Sequence, residues 1–563
     1  MGIRSRNSSL LRSGLSAVGM LTVAACAATT NQSLVAPSGN GAEPTAASFS
    51  ATRIKADIGF LADDMLKGRD TGSEGHRIAA NYVAAQFERL GLKPAGVNGS
   101  YFQEVPFKTA VLEQDAAEIS ITVGGKESTL VLGDDYFMSA NVKTPKAEIS
   151  GDVVFVGYGV HAPSIGIDDL KGMDLEGKIV LYVSGVPSGL HSEIAAHLGS
   201  SSSRPAEFAR RGAIGTMRVN TPEADKERPV STFKRFLGGK RFDWVEPEGA
   251  TTKRVKVGAI ISNDAARTLF EGADISFDDA LKNVIEDKFT SVALKSSVTM
   301  KRSSSLTEAI YSPNVLAVLE GSDPTLKAEY VVLSAHLDHI GISTRAKDGE
   351  DKINNGALDN ATGISVMLEV ARAYADTDTR PRRSILFAAV TAEEKGLLGA
   401  GYFAEYPTVE QSAMVADVNL DMPLLLYNFT DVVAFGAERS SLGPITREAI
   451  AKIGVTLSPD PMPQQNIFVR SDHYQFVKKG IPAVFLMTGW GKGVNGKDAA
   501  AIWGKFFQET YHKPSDQTDL DIDYEVGAKF AHVNWLITNA IANADERPTW
   551  NEGDFFGETF AGK

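Results

Sequence analysis

The sequence predicts an α/β fold: a mixed, mostly parallel sheet flanked by helices, with a β-rich domain inserted into it. Three observations predict this. From Asn314 onward, apolar strand-like runs alternate with helical patterns. Between residues 138 and 305 the texture changes to short β-like runs such as DVVFVGYGV and KIVLYVSG. Ionisable side chains stand at the ends of the apolar runs, where open α/β sheets carry their sites.

Folding sequence begins near Thr52. Helical periodicity covers 53–66 and 76–90, the second with Ile78, Tyr82, Val83, Phe87 and Leu90 on one face and Gly91 as its stop. The intervening KGRDTGSEGH reads as a tight turn plus a helix N-cap, with backbone anion binding as the other reading. Residues 117–123 and 128–132 form a hairpin pattern around Gly124-Gly125. The insert at 138–305 holds scattered histidines, His161, His191 and His197, and one helical pattern at 264–271. The first domain then resumes. NVLAVLEG, YVVLSAHLD, SILFAAVTAEE, MVADVNLDM, TDVVAFGA and IPAVFLMTG read as strands. Helices are expected at 363–374, 442–453, 472–479 and 524–544. The stretch 489–509 reads as a loop carrying Trp490 and Trp503, and 546–563 as a surface tail. The expected division is 1–26 leader, 27–50 tether, 51–137 and 306–545 main domain, and 138–305 insert.

The 563 residues exceed one ordinary domain, and 43% hydrophobic with 23% charged residues is globular composition. A net charge of −13 argues against nucleic acid as a partner. The single cysteine, Cys26, excludes intrachain disulfides. Arg4, Arg6 and Arg12 precede an apolar run at 14–25 that ends in Val23-Ala24-Ala25, the pattern of an export signal. The V-A-A-C run resembles a bacterial lipobox, which implies a lipid anchor at Cys26 and a periplasmic or outer-membrane lipoprotein. Cleavage near Ala28 and simple secretion is the other reading. Residues 27–50 are rich in Ala, Ser, Thr, Gly and Pro, a flexible tether.

The stretch 331–394 organises the rest. It supplies His336 and Asp338 after one strand, Asp359 before a helix, and Glu393 and Glu394 after the next strand. Asp421 and His512 follow. A lone H-x-D fits a surface loop, Asp359 alone fits an N-cap, and a Glu pair fits a solvated helical turn. Together, in this order at strand ends, they point to a metal site. Hydrolysis of an amide at neutral pH requires a nucleophile, a polarised carbonyl and a protonated leaving amine. Two divalent ions side by side can meet the first two needs. His336, Asp359, Glu394, Asp421 and His512 make six contacts if Asp359 bridges. Mixed imidazole and carboxylate ligation suits Zn2+, with Co2+ or Mn2+ as substitutes. Asp338, two residues after His336, faces the same side of a strand and is placed to orient the imidazole. One of Glu393 and Glu394 ligates and the other is free as general base. Tyr511 offers a hydroxyl to the oxyanion.

These residues, as H-x-D, N-N-G-A-x-D-N-A-T-G, E-E-x-G-L-x-G, N-x-D-M, R-S-D-H and Y-H, resemble the co-catalytic zinc aminopeptidase family. That family includes aminopeptidase Y, bacterial leucine aminopeptidases, glutamate carboxypeptidase II and the inactive transferrin receptor. The resemblance covers 52–123 and 312–544 and implies a zinc exopeptidase-like fold. It also implies a peptide substrate and two Zn2+ per chain: His336 and Asp421 on one ion, Glu394 and His512 on the other, Asp359 on both. Glu393 is then the general base and Arg470 a substrate contact, with His473 structural. The insert, through G-Y-G-V, D-L-E-G-K-I-V-L and F-A-R-R-G-A-I-G, resembles a protease-associated domain, which implies a lid or substrate-selecting wall. An aminopeptidase is the expectation. A carboxypeptidase of the same fold, a glutaminyl cyclase and a catalytically silent receptor-like protein are the alternatives.

Overall fold

The computed structural model describes residues 47–562 apart from 378–379, 492 and 494–495. The expected leader, Cys26 and nearly all of the tether lie outside the described residues.

Four parallel strands form the centre of the main sheet. Their spatial order is Ser384–Val390, Tyr330–His336, Met414–Leu420, Ala483–Thr488. Every residue of Ser384–Val390 and Met414–Leu420 is buried, which explains their unbroken apolar runs. Antiparallel strands Ile310–Leu319 and Phe102–Leu112 extend one side. Asp431–Phe435 extends the other, with Thr456–Ser458 parallel beyond it. This is the mixed α/β sheet that the alternating pattern predicts.

Helices cover both faces. Ala51–Leu61, Glu74–Arg89, Thr362–Ala375 and Tyr524–Asn543 bury Ile58, Val83, Ile364 and Phe530 against Val331, Leu333 and Phe387. Leu398–Glu405 and His473–Val477 bury Phe403 and Phe476 against the alternate residues Val332 and Leu386. Helix Glu74–Arg89 starts as the turn-plus-cap reading requires, with the Ser73 hydroxyl accepting the His76 amide at 3.1 Å.

A second sheet contains Glu118–Val123, Tyr136–Met138, Lys146–Phe155, Ile179–Val183, Gly215–Val219 and Val257–Ile261. It has its own core, around Ile121, Phe155, Leu181, Met217 and Phe277. The 15-residue strand Val292–Leu306 pairs with Lys146–Phe155 here, and its end pairs with Phe102–Leu112 of the main sheet.

Three expectations are corrected. Besides Asn263–Leu269 the insert carries four more helices, Ser192–Gly199, Ser203–Arg210, Pro222–Glu227 and Phe277–Ile285, the last capped by Ser276 and buried through Phe277, Leu281 and Val284. The stretch read as a loop at 489–509 contains the helix Ala499–Glu509 with Trp503 fully buried. The expected tail contains the helix Phe555–Phe560, whose Phe555 and Phe556 are buried. The Arg439 guanidinium sits 4.9 Å from the Phe556 ring centre. Such short segments lack enough turns to show a period, yet their aromatic side chains carry large burial energies. Among the described residues no helix is long and apolar enough to cross a membrane.

Candidate metal centre

The site lies at the carboxyl ends of the parallel strands. His336 is the last residue of its strand, Asp421 directly follows another, and Glu393 and Glu394 follow Ser384–Val390 by a few residues. Asp359 stands in the turn before helix Thr362–Ala375. That turn is pinned by Asp516, whose carboxylate accepts the Leu358 and Asp359 amides at 2.9 and 3.0 Å.

The expected ligands converge in two groups. His336 Nε2 is 3.1 Å from Asp421 Oδ1 and 3.3 Å from Asp359 Oδ1. His512 Nε2 is 3.2 Å from Asp359 Oδ2 and 3.1 Å from Glu394 Oε2. The two oxygens of Asp359 thus face the two histidines separately. His336, Asp359 and Asp421 are buried, while the His512 side chain keeps 36% of its exposure. His512 adopts a positive φ of 56°, a left-handed backbone that turns its ring into the site.

The surroundings bear on each role. His336 Nδ1 donates to the backbone carbonyl of Asp338 at 3.1 Å, and the Asp338 carboxylate is 4.0 Å away. That carboxylate instead accepts the Glu393 amide at 3.0 Å and the Thr71 hydroxyl at 3.1 Å. The expectation that the Asp338 side chain orients the imidazole is therefore corrected: its backbone does so, while its side chain holds the Glu393-Glu394 turn. Glu393 is free of hydrogen bonds to either imidazole among the described residues and lines a cavity of about 290 Å³ with Asp359 and Asp421. Arg470 and Tyr511 line the same cavity. The Tyr511 ring stacks on His512 with centres 3.8 Å apart. His473 is fully buried between Phe468 and Phe485, and burial pulls its pKa down to about 3. It is a packing residue, as expected. The tryptophans of 489–509 do not line the cavity; Phe507 does.

Sequence reasoning missed several groups. His339 is fully buried with Nδ1 2.7 Å from Glu394 Oε1, and a reading of the motif as H-x-D-H would have marked it. Ser471 donates to Asp421 Oδ2 at 2.7 Å. Arg69, in the Gly-rich turn, is buried and donates to the carbonyls of Leu61, Leu337 (3.0 Å), Asn355 (2.6 Å) and Gly356 (3.1 Å). It clamps the His336 loop to the Asp359 loop. Asp472 is fully buried and neither of its oxygens has a hydrogen-bond partner among the described residues.

The electrostatics fit cations. Burial opposes a charged His336, but the Asp421 and Glu393 carboxylates and a hydrogen bond to Asp359 hold its pKa well above the usual histidine value. Burial likewise opposes charge on His512, and hydrogen bonds to Asp359 and Glu394 lift it to about 10. Burial raises Glu393 well above the carboxylate range, against the pull of His336 and reinforced by Asp421 and Asp472. A buried excess of carboxylates with imidazole nitrogens between them is a donor set that could hold divalent cations of borderline hardness. Two groups are compact enough to hold an ion, His336, Asp359 and Asp421 in one and His339, Asp359 and Glu394 in the other, with His512 facing Asp359 and Glu394 of the second.

Residues 314–538 match peptidase family M28. The chain is 36% identical over 109 residues to a probable zinc metalloprotease of Pyrenophora teres f. teres, covering 19% of this chain and 22% of that protein. It is 31% identical over 160 residues to a vacuolar membrane protease of Yarrowia lipolytica, covering 28% of this chain and 14% of that one. It is 26% identical over 220 residues to a probable leucine aminopeptidase 2 of Aspergillus oryzae, covering 36% of this chain and 39% of that one. The chain therefore matches between 14% and 39% of the length of these relatives. They overturn the expected bacterial periplasmic or outer-membrane lipoprotein, since they are fungal proteases and one is named a vacuolar membrane protease.

Proposed function

We propose, from the match of residues 314–538 to peptidase family M28, that the chain is a two-zinc aminopeptidase releasing N-terminal residues from peptides. The observation that carries this reading is the division of Asp359, with one oxygen toward His336 and the other toward His512. His336, Asp359 and Asp421 would hold one ion, and Asp359, Glu394 and His512 the other. When bound, such ions lower the pKa of water and supply positive charge for a developing oxyanion.

The chain's own groups do the rest. The Glu393 carboxylate, free of both imidazoles, takes the proton of the attacking water and returns it to the leaving amine. The Tyr511 hydroxyl, held beside His512 by ring stacking, donates to the oxyanion. Met422, Met462, Ile467, Phe485, Met487 and Phe507 line the cavity next to Glu393, which supports an apolar side chain in that subsite. Residues 138–305 act as a protease-associated domain walling the substrate path, a reading supported by the core their sheet shares with Ile119, Ile121 and Tyr136 and by Val160, Ala162 and Leu198, which pack into the main core.

A carboxypeptidase is the second reading. Arg470, at the edge of the cavity, has no carboxylate partner among the described residues, and its Nη1 reaches only the Gln465 carbonyl at 3.4 Å. It is free to pair with a C-terminal carboxylate. Metal content measured together with hydrolysis of free, N-blocked and C-amidated peptides tests both. Two zinc per chain with cleavage only of free N-termini supports the aminopeptidase. Cleavage of N-blocked peptides from the C-terminus replaces it with the carboxypeptidase. Absence of metal and turnover removes both.

A further inference from the structure

The second sheet carries a cavity of about 760 Å³ remote in sequence from every metal-site residue. Its floor is one face of three parallel strands. Tyr182, Arg218 and Ile260 stand side by side in register across Ile179–Val183, Gly215–Val219 and Val257–Ile261. The alternate residues Leu181 and Met217 are buried in the core on the opposite face, so Arg218 is committed to the cavity side. The segment Val230–Phe236 and the strand Arg241–Trp244 contribute further lining through Phe233 and Arg241.

The lining is cationic. Arg218, Lys240, Arg241 and Arg302 face the cavity, and among the described residues no aspartate or glutamate lines it. Among the described residues none of the four makes an ion pair, although the whole chain carries a net charge of −13. Arg302 is 6% exposed. Its Nη2 donates to the Thr144 carbonyl and hydroxyl, both at 2.6 Å, and to the Lys256 carbonyl at 2.7 Å, while its buried Nε has no partner. Arg218 Nε is also buried without a partner. Arg241 donates to the Ser139 hydroxyl at 3.0 Å. Burial alone, with no nearby carboxylate to offset it, pulls the Arg302 pKa down to about 10. Cationic groups that line one cavity, partly desolvated and without a carboxylate partner, are unfavourable unless an anion joins them. Their planar forks match phosphate and carboxylate oxygens.

We propose that this cavity is a binding site for a small polyanion, a molecule bearing two or more phosphate or carboxylate groups, held by Arg218, Lys240, Arg241 and Arg302. Tyr182 and Phe233 offer ring surface to any apolar part of it. The site is separate from peptide hydrolysis and stands whether or not that reading holds.

The test is calorimetric titration of the purified full chain with inorganic pyrophosphate and with citrate, at constant ionic strength, alongside thermal unfolding. Saturable binding of either at one site per chain, with a rise in Tm, is expected. Preference for one probe tells phosphate from carboxylate ligands. Arg218→Gln and Lys240→Gln should each weaken binding about tenfold or more while circular dichroism and peptide hydrolysis stay unchanged. Lys240 is exposed, so its variant folds even if Arg218→Gln does not. No saturable binding of either probe overturns the proposal, and so does binding that both folded variants retain undiminished.

Discussion

His339 Nδ1 lies 2.7 Å from Glu394 Oε1, while the other oxygen of that carboxylate, Oε2, faces His512 at 3.1 Å. Asp421 repeats the arrangement, with Oδ2 taken by the Ser471 hydroxyl at 2.7 Å and Oδ1 facing His336 at 3.1 Å. Asp421 thus has one oxygen held by a hydrogen bond and Glu394 has one in close contact with an imidazole, and each has the other oxygen turned toward a second histidine. Removing the neighbour frees the carboxylate to rotate. His339→Ala is expected to weaken the second ion by roughly 10- to 100-fold, the usual effect of losing a group that orients a ligand. Competitive zinc titration of the folded variant reads this directly; unchanged affinity would remove His339 from that role.

Glu393 and Glu394 are adjacent, and the proposed mechanism gives them different work. Glu393→Gln should keep both ions and lower kcat by about 10²- to 10⁴-fold, the range for loss of a general base. Glu394→Gln should lose metal as well as activity. Metal analysis beside initial rates separates the two, and equal metal loss in both variants contradicts the division.

Arg69 ties the carbonyls of Leu337, Asn355 and Gly356 together from a fully buried position. Arg69→Met leaves those acceptors unpaired in the interior, at a cost of about 3 kcal/mol or more. Arg69→Lys should not restore it, because one ammonium cannot span carbonyls on separate loops. Urea unfolding midpoints of the two variants against the parent chain give the answer.

The raised His512 pKa has a consequence for protein stripped of metal by a chelator. Its imidazole titrates from an ordinary value of 6.5 when unfolded to about 10 when folded, because hydrogen bonds to Asp359 and Glu394 outweigh burial. Stability from that proton is fully present below pH 6.5 and is lost as pH rises toward about 10. Tm of the stripped chain should fall across that window, and His512→Ala should flatten the fall. Zinc competes with the same proton, so apparent zinc affinity should rise over the same range.

Much of the site was legible in the linear order of residues. His336, Glu394 and Asp421 stand just at or beyond strand ends, and Asp359 and His512 approach them from loops beside helices. Strand ends in an α/β sheet point to one edge, so a reactive residue at each end arrives there without further information. Asp338 shows where this stops. Two-residue spacing put it beside His336, but the chain leaves the strand at His336, and the carboxylate swings to the Glu393 amide. The tail misread at 546–563 has the same origin, since burial of Phe555 and Phe556 depends on partners far away in sequence.

By itself, then, the sequence determined the sheet, the helices that flank it and the donor types that meet at its edge, because apolar period and strand-end position are local properties. Only the tertiary structure decided which oxygen of Asp359 faces which histidine, that His339 and Ser471 hold the terminal carboxylates, and that Arg218, Lys240, Arg241 and Arg302 share one cavity. Those relations join residues from separate elements, and register and packing set them to within an ångström, which no pattern along one strand or helix encodes.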